Sequence, residues 1–264
     1  MTAPVVEKRK LSVSQVNSYE RCAYAYKLER VDKVWQQPAA WLGQGSAVHE
    51  AAEAYEKSGR TMSLEGMQEV FIDSYARHIG EALETTPNMD WWFASGPYRG
   101  DVDIERRFGI GLDQCRVYQD YYKLHPGEVL WVTPDGVPGT EVGFDLDMDG
   151  VLVRGYIDAI VETEDGLVVR DLKTGNNPSD AFQLGVYAIA IEQKYPGVEI
   201  AGGDYHMVKS NTMVSRDIRE WSREEVIAKF KEIEKKINAG EFPPNPSDSN
   251  CRFCSVANSC EWRY

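Results

Sequence analysis

Along the first half of the chain apolar residues recur every three or four positions, and after Gly127 they alternate with polar ones. The first pattern gives a helix one buried face, and the second does the same for a strand. In "LSVSQVNSYERCAYAYKLERV", Ser12 and Gln15 form a capping-box pattern, followed by Val16, Tyr19, Ala23 and Tyr26 at helical spacing. This predicts a first helix with Cys22 on or near it. "WLGQGSAVHEAAEAYEKSG" reads as a glycine-containing turn followed by a helix that ends near Gly59. Two further helices are predicted over 62–85 and 101–123, joined by the aromatic-rich "TTPNMDWWFASGPYRG", which has no clear period.

The segment "GTEVGFDLDMDGVLVRGYIDAIVETEDGLVVRDLKTG" carries period-two stretches cut by Asp149-Gly150 and Asp165-Gly166, both hairpin-turn dipeptides. It predicts a three-strand antiparallel meander. A helix follows over "SDAFQLGVYAIAIEQKYPG", stopped by Pro196-Gly197, then a strand pair in "IAGGDYHMVKS" and "TMVSRDIRE". A last amphipathic helix spans about 222–239, and the tail "GEFPPNPSDSNCRFCSVANSCEWRY" has too few apolar residues to fold unaided. There is no internal repeat and no low-complexity tract.

At 264 residues, 42% hydrophobic and 27% charged, the chain has the composition of an ordinary globular protein. It lacks an apolar run of about 18 residues, and "MTAPVVEKRK" has no apolar segment after its charges. A cytoplasmic protein with no membrane segment is therefore expected. The net charge of −13 weighs against a protein that coats itself in nucleic acid, yet it leaves room for a local basic track and for carboxylates that hold a divalent cation. Five cysteines without a secretory signal make a disulfide framework unexpected and point to metal ligation or burial.

Strand alternation makes Asp171 and Lys173 point the same way, and Asp158, on the neighbouring strand of the hairpin, reaches that face if the register allows. Two carboxylates and a lysine at one sheet end suit a hard divalent cation, with the ammonium free to orient or activate a water. An isolated D-x-K is far more often a surface ion pair. Gln183 and Tyr187, four residues apart, share one helical face. Cys251, Cys254 and Cys260 fall within ten residues of a coreless tail, and Cys22 can supply a fourth ligand. That set admits either zinc or an iron-sulfur cluster, and spacing does not decide between them. "DLDMDG" imitates a calcium loop, but position twelve is Tyr156 and not glutamate; "GQG" at 43–45 lacks the third glycine and preceding strand of a dinucleotide fingerprint. Cys115 is expected to be a buried helix residue.

Taken together, "GYIDAIV", "VVRDLKTG" and "QLGVYA" resemble the PD-(D/E)XK nuclease superfamily, in particular its RecB-like branch, whose pattern runs G-x-(I/V)-D, then D-x-K-T/S-G, then Q-x-x-x-Y. Here these fall on Gly155 to Asp158, Asp171 to Gly175, and Gln183 with Tyr187; Ile157 stands where the family name has proline. The resemblance implies that Asp158, Asp171 and the Leu172 carbonyl bind Mg²⁺ or Mn²⁺, and that Lys173 serves the attacking water. It also implies that Gln183 and Tyr187 contact the DNA strand. Gly45 to His49 match a G-x-x-x-H of that branch, which makes His49 a further ligand, and Glu141 is a weaker candidate from an upstream strand.

"ERCAYAYKLERV" and "CRFCSVANSC" match, in order and spacing, the layout by which several RecB-like nucleases hold a [4Fe-4S] cluster, so Cys22, Cys251, Cys254 and Cys260 are its implied ligands. The fold implied is α/β, a restriction-endonuclease-like core whose central mixed β-sheet is flanked by helices. An N-terminal helical region (1–127) carries Cys22 and His49, the nuclease core covers 128–240, and the cluster-binding segment covers 241–264, all in one integrated domain. The activity implied is a metal-dependent exonuclease on single-stranded DNA ends, of 5′ to 3′ polarity, working in recombination, phage replication or CRISPR adaptation with the corresponding protein partners. An oligomer is compatible with this. The rival reading, of another class, is a DNA-end-binding or partner-docking subunit with a vestigial site.

Overall fold

The structure, a computed structural model, describes residues 9–176 and 178–264. In chain order these form β1 (Lys10–Leu11), α1 (Val13–Arg21), α2 (Ala23–Tyr26) and a π-helical turn (Lys27–Val31), then α3 (Ala40–Lys57), α4 (Leu64–Thr85) and α5 (Gly100–Leu124). The sheet region follows with β2 (Val129–Leu130), β3 (Thr140–Met148), β4 (Val151–Thr163), β5 (Gly166–Lys173), α6 (Ala181–Lys194), β6 (Ile200–Met207) and β7 (Thr212–Arg216). Helix α7 (Arg223–Asn238) and the short α8 (Asp248–Cys251) close the chain.

Strand β4 organises the molecule. Its N-terminal half pairs antiparallel with β3 and its C-terminal half with β5, while β6 lies parallel to β5 and antiparallel to β7. The expected meander and strand pair are therefore joined into one mixed seven-stranded sheet. Strand β1 lies parallel to β4 at Leu152 and Val153. Both residues are also paired with β3, and Ala159 is shared between β3 and β5. A strand has only two edges, so β1 and β5 occupy the same edge of β4 and leave residues 154–158 between them unpaired on that side. This opening in the sheet is where the chemistry gathers.

Two apolar layers hold the sheet. On one face α1, α6 and α7 bury Val16, Leu184, Phe230 and neighbours against Val153, Ile157 and Val169. On the other, α3, α4 and α5 pack around Phe71, Tyr55 and Tyr118 and receive Leu172 and Val208 from the sheet. Helix α7 shows the complete Ser222/Glu225 capping box, whereas only half of the box predicted for α1 forms. Gln15 donates its N–H to Ser12 Oγ at 3.3 Å, but its side-chain oxygen is buried without a partner.

Three local expectations are corrected. The glycines of "GQGS" lie inside α3, so His49 sits in mid-helix and not after a turn. They serve close approach: a Cβ on Gly43 would stand 3.2 Å from His78 Cβ, and one on Gly45 would stand 3.2 Å from Thr174 Oγ1, at the end of β5. The helical spacing from Val16 to Tyr26 is not one helix: Cys22 stands at the end of α1, near the first helix as expected, and its extended backbone (φ −163°, ψ 104°) separates α1 from α2. The Asp149-Gly150 turn is present with both residues at positive φ, whereas the second hairpin turns one residue earlier than expected, on Glu164-Asp165, with Gly166 (φ +114°) already paired to Thr163. Among the described residues no helix is long and apolar enough to cross a membrane.

Candidate metal centre and cysteine pocket

Ala159 pairs with Arg170, and one more step of that ladder would set Asp158 opposite Asp171. The strands part instead. Asp158 Oδ2 accepts the Leu172 N–H at 2.7 Å, so a side chain bridges the fork where backbone pairing stops. The N–H and C=O of one strand residue point to the same side, so the Leu172 carbonyl faces the same opening.

On the other side of β4, Glu141 stands opposite Asp158 with φ +48°, a left-handed conformation that a glutamate rarely adopts in a strand. The inward alternation of β4 slips there: Val151, Val153 and Ile157 enter the first core, and so does Ile160. The pleat thus changes phase at Asp158, turning both acids out of the regular in-and-out pattern. Backbone strain of this kind persists where the surrounding structure enforces it, commonly at working sites.

Helix α3 brings His49 over the fork, its Nδ1 3.3 Å from Asp158 Oδ2. Ligand atoms of His49, Glu141 and Asp158 all lie within 4.8 Å of one another. Asp171 approaches from the α6 side. Its Oδ1 accepts from Gln183 Nε2 at 2.7 Å, and its Oδ2 lies 2.7 Å from Lys173 Nζ. That Oδ2 is buried, and the ammonium is its neighbour. Gln183 also accepts from Lys173 Nζ at 3.2 Å and donates to the Tyr187 hydroxyl at 2.8 Å. The structure thus brings Asp158, Asp171, Lys173, Gln183, Tyr187 and His49 to one end of the sheet, with Glu141 among them.

The titrations follow from this crowding. Burial opposes a charge on His49, but Asp158, with Asp171 and Glu141 behind it, raises the imidazole to about 9. Burial and then Asp158 push Glu141 up to about 7, and burial and Asp158 likewise raise Asp171 to about 6, against the pull of Lys173. Tyr187 is held protonated by burial and by Asp171. Hard oxygen and imidazole donors that keep protons for want of positive charge fit a divalent cation.

Support comes from beneath. Arg170, 2% exposed, grips Asp204 at 2.7 and 2.8 Å and also pairs with Glu128, locking β5 to β6 and to the segment between α5 and β2. Gln44 of α3 donates to Gln114 of α5, which in turn donates to the Thr174 carbonyl at 3.0 Å. This pair positions the end of the D-x-K-T-G run, and sequence reasoning passed over it. Its signal was a glutamine on the buried face of a helix, within the "GQG" dismissed as a fingerprint.

The cysteines form a second centre. Cys22, Cys251, Cys254 and Cys260 line one pocket. The tail is tied to the first helices by Asn245 N–H to Cys22 Sγ at 3.4 Å, Ser255 Oγ to Glu29 Oε1 at 2.9 Å, and the Gln37 N–H to the Ser255 carbonyl at 2.8 Å. The break at Cys22 frees its thiol from the helix it would otherwise continue. Burial raises the thiols of Cys254 and Cys260, and the Cys22 sulfur raises both further. Cys115 lies wholly buried in the helical layer, its thiol pushed up to about 12.

A mixed sheet opened at a strand end, beside hard ligands and a lysine, is the build of a metal-dependent nuclease. Residues 10–261 match the family model described as the PD-(D/E)XK nuclease superfamily, and the chain belongs to that superfamily. It is similar to the Gene 69 protein of Mycobacterium phage L5, 45% identical over 94% of this chain and 95% of that protein. Its likeness to the Gene 69 protein of Mycobacterium phage D29 is 47% identity over the same shares. A more distant likeness, 28% identity over 46% of this chain and 23% of the other, is to a CRISPR-associated exonuclease Cas4/endonuclease Cas1 fusion of Myxococcus xanthus.

Proposed function

We propose that this protein is a DNA exonuclease that digests single-stranded ends from 5′ to 3′ with Mg²⁺ or Mn²⁺ in the fork and a [4Fe-4S] cluster in the cysteine pocket. The observation that carries the reading is the gathering of His49, Glu141 and Asp158 within 4.8 Å, with Asp171 and Lys173 alongside. His49, Asp158, Asp171, the Leu172 carbonyl and Glu141 would hold the cation, which supplies Lewis acidity to a phosphodiester under attack. Lys173 orients the attacking water, with Gln183 holding Lys173 and Asp171 in register. Gln183 and Tyr187 border the path of the DNA strand.

The cluster reading is supported by the order and spacing of Cys22, Cys251, Cys254 and Cys260 in the chain and by the one pocket that all four line. The exonuclease in the name of the Myxococcus relative supports the activity, and the full-length likeness to two phage proteins supports a place in phage DNA processing. Recombination or CRISPR-adaptation proteins are the partners that fit.

The test is anaerobically purified protein with end-labelled single strands blocked at either the 5′ or the 3′ end. Mn²⁺-dependent digestion that a 5′ block stops is expected, with none from Asp171→Ala. Binding without turnover under every divalent metal would favour the docking-subunit alternative instead.

A further inference from the structure

On β4, two residues before Asp158, Tyr156 is 66% exposed, unusual for a large aromatic in the middle of a central strand. Its cross-strand partner on β3 is Gly143. A Cβ on Gly143 would stand 3.1 Å from Tyr156 Cε1, so the absent side chain is what lets the ring settle over the β3 backbone. The neighbouring pair repeats the device on the other face, where Phe144 covers Gly155 so closely that a Cβ there would lie 2.6 Å from the ring. Phe144 is buried against Tyr187 and needs no further partner. Tyr156 is supported on one side only and leaves the rest of its ring to a groove of about 670 Å³.

That groove passes through the opening in the sheet. Val13, Ser14 and Gln183 line it and also a second hollow of about 420 Å³ that reaches Lys173 and Arg21, so the two adjoin on the Lys173 side of the opening. The charge of this track is opposite to that of the whole chain. Its basic side chains are Arg154, Arg21 and Lys173, the last paired with Asp171 at 2.7 Å, and its one carboxylate, Asp145, is paired with Lys10 at 2.5 Å, which leaves Arg154 and Arg21 to set its sign. Arg154 is exposed and, two residues from Tyr156 on the same strand, shares its face.

We propose that Tyr156 and Arg154 form a subsite for one unpaired nucleotide: the ring stacks on the base and the guanidinium takes a phosphate of the same strand. The identity of the strand as DNA rests on the nuclease reading above. Two strand residues span about 6.8 Å, so the subsite lies next to the ligands at Asp158. A base inside a duplex has both faces covered by its neighbours, and only an unstacked one can use the ring. Tyr156 therefore selects single-stranded or frayed ends, and Arg154 adds affinity without sequence preference.

The experiment measures fluorescence anisotropy of a labelled single strand and of its duplex with the full-length protein in EDTA, alongside Mn²⁺-dependent cleavage. Tyr156→Leu should weaken single-strand binding roughly tenfold or more, the effect of losing one stacked base, and leave duplex binding unchanged. Tyr156→Phe should bind as the parent does. A strand carrying 2-aminopurine should be quenched by the parent protein and by Tyr156→Phe, but not by Tyr156→Leu. Thermal unfolding confirms that each variant is folded. Equal single-strand affinity and equal quenching for folded Tyr156→Leu would overturn the proposal even if the protein cuts DNA. Stacking in EDTA with no cleavage under any metal would keep it and refute the nuclease reading.

Discussion

The fork and the cysteine pocket solve opposite problems. At the fork, hard ligands stand on a sheet already held by two apolar layers and by the buried Arg170 network, so the scaffold exists before any ion arrives. The cysteine tail has a small apolar contact of its own, Val256 and Ala257 against Ala25 and Leu28, and is otherwise tied by hydrogen bonds to the first helices. A group bound at the fork adds chemistry to a finished fold, whereas one bound in the pocket adds fold. The two sites should therefore fail differently.

The largest effect sharpens that contrast. Asp158→Asn, which keeps an oxygen for the Leu172 N–H, and Asp171→Ala should each lower cleavage roughly 10³-fold or more while leaving circular dichroism and the thermal midpoint close to the parent values. A variant that cuts normally would remove the fork from the chemistry. Conversely, Cys254→Ala should open the tail to proteolysis and lower the thermal midpoint, with activity lost only through unfolding. An intact, protease-resistant tail in that variant would erase the distinction between the sites.

Arg170→Met attacks the scaffold itself. It strands Asp204 and Glu128 beneath β5, and denaturant unfolding should show a loss of about 3–5 kcal/mol. A near-neutral result would mean that the fork does not depend on this ion-pair network.

A smaller effect is the pH dependence of the metal-free protein. His49 is raised above its ordinary value, so its contribution is complete below about 6.5 and is lost as pH rises through about 9. Glu141 and Asp171 have the same sign, because the folded protein holds their protons up to about 7 and about 6. Thermal midpoints should fall between pH 6 and 9 without a divalent metal, and Mn²⁺ should flatten or reverse that slope. A flat profile without metal would show that these groups do not crowd one another.

The smallest effect is expected for Gly45→Ala, whose new methyl group meets Thr174 Oγ1 at 3.2 Å. It should displace the end of β5 and reduce cleavage several-fold with little change in stability. The magnitude is that of disturbing a group that orients a metal ligand, about 10–100-fold at most.

Much of this was legible in the chain alone. The Asp-Gly dipeptides marked both corners of the meander, the second to within one residue, the D-x-K alternation put Asp171 and Lys173 on one face, and the four-residue spacing aligned Gln183 with Tyr187. These are local consequences of periods of two and 3.6 residues, so sequence carries them directly. The family pattern supplied His49 and the cysteine set, which no local period would have paired.

What only the tertiary structure decided depends on contacts between distant segments. It placed "GQGS" within a helix because those glycines admit His78 and Thr174, groups that local turn propensity cannot register. It broke the first helix at Cys22, where the cysteine-bearing tail packs from more than 220 residues away. It gave Glu141 a left-handed backbone and shifted the pleat of β4 at Asp158, and it left an open edge between β1 and β5 for the groove. Sequence determines what each segment can become by itself; the packing of segments decides where the pattern must yield, because a side chain cannot be aimed at a partner that its own neighbourhood does not contain.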